Sequence, residues 1–151
     1  MRSVFIISDL HLGGDYPVPP EKRGFRLCTR ADAIAHFVRE RTKEIAKNGP
    51  SEIVLNGDTV DFLAERNLPA AGAGQAATWS SFTADPQAAV DKFKTIVKRD
   101  KAVFDAFGPF LGAGGRLTIL LGNHDVELSL PPVRRELRRA LEHFSIRLGI
   151  A

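Results

Sequence analysis

The 151-residue sequence is poor in the residues that build covalent or thiolate scaffolds: Cys28 is its only cysteine, beside single methionine, tryptophan and tyrosine residues. One cysteine excludes an internal disulfide and any metal site assembled from several thiolates, and it fits a reducing compartment. No apolar run approaches the roughly 20 residues that cross a bilayer as a helix, so no membrane span is expected. Arg2 is followed by only four apolar positions, Val4, Phe5, Ile6 and Ile7, before Asp9, which is too short and too soon charged for a signal peptide. These absences predict a cytoplasmic protein. Neither sign of charge dominates: 21 Lys and Arg against 18 Asp and Glu leave +3, an excess that names no anionic partner by itself. Internal repeats and low-complexity tracts are missing too.

What remains is 44% hydrophobic, enough for one domain with its own core. Val4-Phe5-Ile6-Ile7 is a short β-branched run of the kind buried on both faces of a parallel sheet. Thr29 and Asp32 fit a capping box for a helix carrying Ile34, Phe37, Val38, Arg41 and Ile45, ended by Asn48-Gly49-Pro50. Ile53-Val54-Leu55 is the second strand, and the strand, helix, strand order predicts parallel pairing. Residues 67–81 are rich in Ala, Gly and Ser without a period and predict a long loop, in which Trp79, with Phe82 just beyond, could serve a substrate lid. Asp85-Pro86 opens a helix whose face is Val90, Phe93, Val97, Phe104 and Phe107, closed by Gly108-Pro109. The run from Leu117 to Leu121 is the third strand.

Beyond Pro132, Val133, Leu137, Ala140, Leu141 and Phe144 mark an amphipathic helix, with Arg134, Arg135, Arg138 and Arg139 opposite. A solvated polar face accounts for these arginines; a nucleic-acid or phospholipid grip is the sharper alternative. Ile146, Leu148 and Ile150 alternate like the start of a strand. His36 and His143 read as structural or exposed helix residues.

Polar motifs stand at the carboxyl ends of all three strands: Asp9 and His11, then Asp58 and Asp61, then Asn123, His124 and Asp125. In an open parallel sheet those ends converge on one rim, where ligands bind. Carboxylate, imidazole and amide donors suit manganese, iron or zinc better than calcium. A carboxylate such as Asp58, lying between an Asp/His pair and an Asn, could bridge two cations, the arrangement of two-metal phosphate ester hydrolysis.

Asp9-Leu10-His11, Gly57-Asp58-Thr59-Val60-Asp61 and Gly122-Asn123-His124-Asp125 resemble the first three signature motifs of the calcineurin-like metallophosphoesterase family. The resemblance implies an α/β fold, a four-layer α/β/β/α sandwich of which residues 1–151 supply about the first half, as a domain incomplete at its C-terminal end. It implies a dinuclear centre of two divalent ions, manganese, iron or zinc, with Asp9 and His11 on the first, Asp58 bridging and Asn123 on the second. By the same resemblance, His124 steadies the phosphoryl group and protonates the leaving oxygen. Asp125 orients its ring, Asp61 is a supporting residue, and a metal-bound hydroxide attacks phosphorus.

The implied partner is a phosphorylated substrate, whether small molecule, phospholipid or nucleotide, cleaved as a mono- or diester. The Asp-Leu-His-Leu-Gly form resembles the UDP-diacylglucosamine diphosphatases of lipid A synthesis, with nuclease and phosphatase branches open. The sequence departs from the family downstream, where His143 stands without the Gly-His-x-His motif that completes both metal shells. That departure leaves a second expectation, a non-catalytic scaffold of the same fold. An uncovered sheet face would also favour self-association.

Overall fold

The computed structural model describes residues 3–14, 26–65 and 82–142, with the Glu142 side chain left aside. The expected loop with Trp79, the residues around His143 and Phe144, and the alternating Ile146, Leu148 and Ile150 lie outside the described residues.

The element order is β1 (Ser3–Ile7), α1 (Ala31–Asn48), β2 (Ser51–Asn56), α2 (Pro86–Arg99), α3 (Lys101–Gly112), β3 (Arg116–Leu120) and α4 (Pro131–Glu142), with a 3-10 turn over Val126–Ser129 before α4. The strands form one parallel sheet in the order β1-β2-β3, an α/β arrangement. Phe5 pairs with Ile53 and Ile7 with Leu55; Ile53 pairs with Leu117 and Leu55 with Ile119. Because side chains alternate along a strand, these residues share one face. They join Val38 of α1, Phe93 of α2, Phe104 and Phe107 of α3 and Leu141 of α4 in a single apolar cluster.

The opposite face differs from the sequence expectation. Buried-type runs predict strands covered on both sides, yet Val4 is 53% and Ile6 70% exposed, and Leu120 of β3, on the same face, is 46% exposed. Among the described residues the helices cover one face of the sheet only. No described helix is long and apolar enough to cross a membrane.

Helix boundaries follow the sequence in part. Asp85 caps α2, its side chain accepting the Gln87 N–H at 2.9 Å, with Pro86 in the first turn, where its missing N–H costs nothing. The Thr29/Asp32 capping box does not form: Arg30 is the N-cap of α1 and no side chain caps it. One helix was expected from Asp85 to Gly108, but the chain breaks at Asp100 into α2 and α3, and Gly108 and Pro109 lie inside α3. Apolar spacing runs through the break because α2 and α3 both turn an apolar side toward the same core, so periodicity alone cannot reveal it.

Candidate functional site

At the ends of the strands the backbone leaves the sheet in a conformation that L-residues avoid. Asp9, His11 and Asp58 have φ values of 56°, 46° and 47°, and they are the only non-glycine residues with positive φ among those described. Such positions cost free energy and persist where the surroundings over-determine them, which happens most often at functional sites. Here the two loops are stitched side by side. Asp9 N–H donates to Gly57 O at 3.3 Å, His11 N–H to Asp58 O at 2.9 Å and Leu12 N–H to Thr59 O at 3.0 Å, while Asp61 N–H returns to Leu12 O at 2.7 Å.

The third loop closes on the second through side chains. Asp58 Oδ1 accepts the His124 N–H at 2.9 Å. Asp125, fully buried, accepts Thr59 N–H on Oδ2 at 2.8 Å and Gly122 N–H on Oδ1 at 2.6 Å. Gly122 is required here: a Cβ at that position would lie 2.0 Å from Asp58 Oδ1 and 2.4 Å from Asp58 N. Gly122 opens the third motif of the sequence, where its role was not assigned, although a glycine directly before polar residues at a strand end is the signal of a close backbone approach.

Asp9, His11 and Asp58 each offer a ligand atom, and these atoms all lie within 4.8 Å of one another. His11 Nε2 stands 4.0 Å from Asp58 Oδ2. The other ring nitrogen, His11 Nδ1, is 3.3 Å from Asp61 Oδ2, and His124 Nδ1 is 3.1 Å from Asp61 Oδ1. A carboxylate only accepts, so Nδ1 of each ring carries the hydrogen. The two rings meet edge to face with centroids 4.6 Å apart. His11, Asp61 and His124 also satisfy the distance condition for holding an ion, but their hydrogen bonds already explain the closeness of that second trio.

Three of the four expected ligands, Asp9, His11 and Asp58, are therefore brought together. Asn123 is exposed on the third loop between Gly122 and His124, on the same rim. The expectation that Asp125 orients the His124 ring is corrected: both Asp125 oxygens hold backbone N–H groups, and the buried Asp61 carboxylate takes the ring. The physical reason is reach: Asp125 turns inward beneath the loops, whereas Asp61 sits between the two imidazoles. Burial pushes the Asp125 carboxyl above the usual carboxylate range, against the opposing pull of the Gly122 and Thr59 N–H donors. No protein-family model, curated protein or solved structure matches the chain.

Proposed function

We propose that the chain is a metallophosphoesterase of the calcineurin-like class, hydrolysing phosphate mono- or diesters at a dinuclear metal centre. The observation that carries this reading is the convergence of Asp9, His11 and Asp58, each at positive φ, with ligand atoms within 4.8 Å of one another. Oxygen and imidazole donors without thiolate fit manganese, iron or zinc. Asp9, His11 and Asp58 would hold the first ion, and Asp58 with the exposed Asn123 would contribute to the second.

Bound there, divalent ions supply Lewis-acid polarisation of a phosphoryl oxygen and a lowered pKa for water. The chain's own residues do the rest. Asp61 fixes His11 with Nε2 toward the Asp58 carboxylate, a carboxylate–histidine relay that orients a ligand and raises its basicity. The same carboxylate holds His124 through Nδ1; as the imidazolium, with a hydrogen on each nitrogen, His124 would steady the phosphoryl group and deliver the Nε2 proton to the leaving oxygen. Asp125 keeps the second and third loops in register. The four-layer sandwich belongs to the same proposal, the described sheet and its helices forming one half of it.

The test is hydrolysis of p-nitrophenyl phosphate and its bis-ester with added manganese, in wild type and Asp58→Ala. Metal-dependent turnover that vanishes in the variant supports the reading; equal turnover in both, or none on either ester, counts against it. The exposed sheet residues Val4, Ile6 and Leu120 favour one competing reading, a non-catalytic scaffold that uses this face to bind another protein. Elemental analysis separates the two, because tightly held metal at two equivalents is incompatible with the scaffold.

A further inference from the structure

The loop that carries Asp9 and His11 continues into Gly13 and Gly14, and both glycines are gripped from outside the rim. Gly13 N–H donates to Asp100 Oδ2 at 2.7 Å, and Gly13 O accepts from Arg26 at 3.1 Å. Arg26 and Asp100 are themselves ion-paired, with side chains only 6% and 1% exposed. On its third side Gly13, at φ 108°, presses on α2: a Cβ there would lie 2.8 Å from Ile96 Cγ1. One residue on, Gly14 N–H donates to Glu65 Oε2 at 3.0 Å, and that carboxylate pairs with Arg99 Nε at 3.1 Å.

We propose that the α2–α3 junction is a bracket for the ligand loop, in which Asp100 is a positioning residue for Asp9 and His11, with Glu65 as a second clamp. For its functional consequence this rests on the metallophosphoesterase reading; the bracket itself rests on the contacts. Two left-handed residues at Asp9 and His11 store strain; backbone bonds to the second loop hold this segment at Asp9, His11 and Leu12, and its downstream end is held separately at Gly13. Asp100 fixes that end from a distance of 87 residues in sequence. The Asp100 side chain makes no capping bond to α3 and is spent instead on Gly13 and Arg26. A buried charged side chain at the junction of two helices is otherwise hard to reconcile with the cost of removing a carboxylate from water. Asp100 takes the N–H of Gly13 and Arg26 its carbonyl oxygen, so both backbone groups of Gly13 are held.

The experiment uses the full chain, with amide hydrogen exchange read by NMR without metal and manganese affinity read by chelator competition. In Asp100→Ala the Gly13 amide should exchange at least about tenfold faster and manganese should bind about tenfold more weakly, the range seen when outer contacts of a metal ligand are removed. Asp100→Asn, whose amide oxygen still accepts from Gly13, should restore the slow exchange. Val103→Ala, a buried α3 change away from the loop, should lower the melting temperature yet keep both readings within about twofold of wild type.

Glu65→Ala is the independent second variant, and in it Gly14 should lose protection while Gly13 keeps it. A protected Gly13 in Asp100→Ala, or a Val103→Ala shift as large as that of Asp100→Ala, overturns the bracket; a protected Gly14 in Glu65→Ala overturns the second clamp. Absence of manganese binding by wild type defeats the metal reading alone, since the exchange data still decide the bracket.

Discussion

Asp61 Oδ2 lies 3.3 Å from Nδ1 of His11, with the carboxylate fully buried and the ring partly so. Its Oδ1 meets His124 at 3.1 Å and also accepts the Ala64 N–H at 2.9 Å, so one side chain sets the orientation of both imidazoles. Removing it takes away the carboxylate that accepts from both ring Nδ1 atoms and from the Ala64 N–H. Asp61→Ala should weaken manganese binding by about 10- to 100-fold, the usual cost of losing the partner behind a ligating histidine. Chelator-competition titration checks this, and an affinity equal to wild type would show that the rings are held by something else.

Gly122 sits where the third loop touches Asp58, and no side chain fits there. A Cβ 2.4 Å from the Asp58 backbone nitrogen cannot be relieved by a rotamer change; the loop itself must move. Gly122→Ala should therefore cost about 1–3 kcal/mol of stability by overpacking, and should break the bond from His124 N–H to Asp58. Urea unfolding measures the first effect. Loss of manganese-dependent hydrolysis at temperatures where the variant is still folded measures the second.

The strands, their parallel order and the rim on which Asp9, His11, Asp58, Asn123 and His124 gather were all legible, because apolar runs and strand-end motifs are local signals. What the sequence hid depends on distant partners. Asp100 reads as one polar residue in a helical pattern, and only the folded chain shows that its side chain holds Gly13, 87 positions away. Asp125 adjoins His124 in sequence but serves Thr59 and Gly122, while Asp61, 63 residues from His124, holds its ring. Ile6 has the composition of a buried residue, and no local signal says whether a second layer covers its face.

That uncovered face leads to a third expectation. Val4, Ile6 and Leu120 lie exposed on the side of the sheet that also carries Val54, among the polar Glu52, Asn56, Arg116 and Thr118, and exposed apolar residues of this kind favour association. The chain should self-associate at micromolar concentration, and Ile6→Lys should shift it toward monomer by replacing the most exposed of these apolar side chains with a charge. Sedimentation velocity of the two proteins decides it: a wild type that is monomeric and compact across the concentration range would contradict the expectation.

Glu127 makes stability depend on pH in a predictable direction. Its side chain is wholly buried, Oε1 accepts a long bond from Thr83 N–H at 3.4 Å, and Oε2 has no hydrogen-bond partner among the described residues. Burial pushes this carboxyl up, only partly opposed by its backbone donors and by the nearby Lys92 ammonium. The folded chain thus holds the proton more tightly than the unfolded chain, whose glutamate titrates near about 4.3. The stabilising contribution is complete below that value and is lost as pH rises through the raised folded pKa, where a charge must be accommodated in the core. Glu127→Gln keeps the shape and never ionises, so it should be at least as stable as wild type at neutral pH and should show a shallower fall in stability from about pH 4.3 upward. Some slope should survive in the variant, because burial raises the Asp125 carboxyl in the same direction. Urea unfolding of both proteins at intervals between about pH 4 and 8 gives the comparison, and parallel curves would mean that Glu127 does not titrate differently in the folded and unfolded chains.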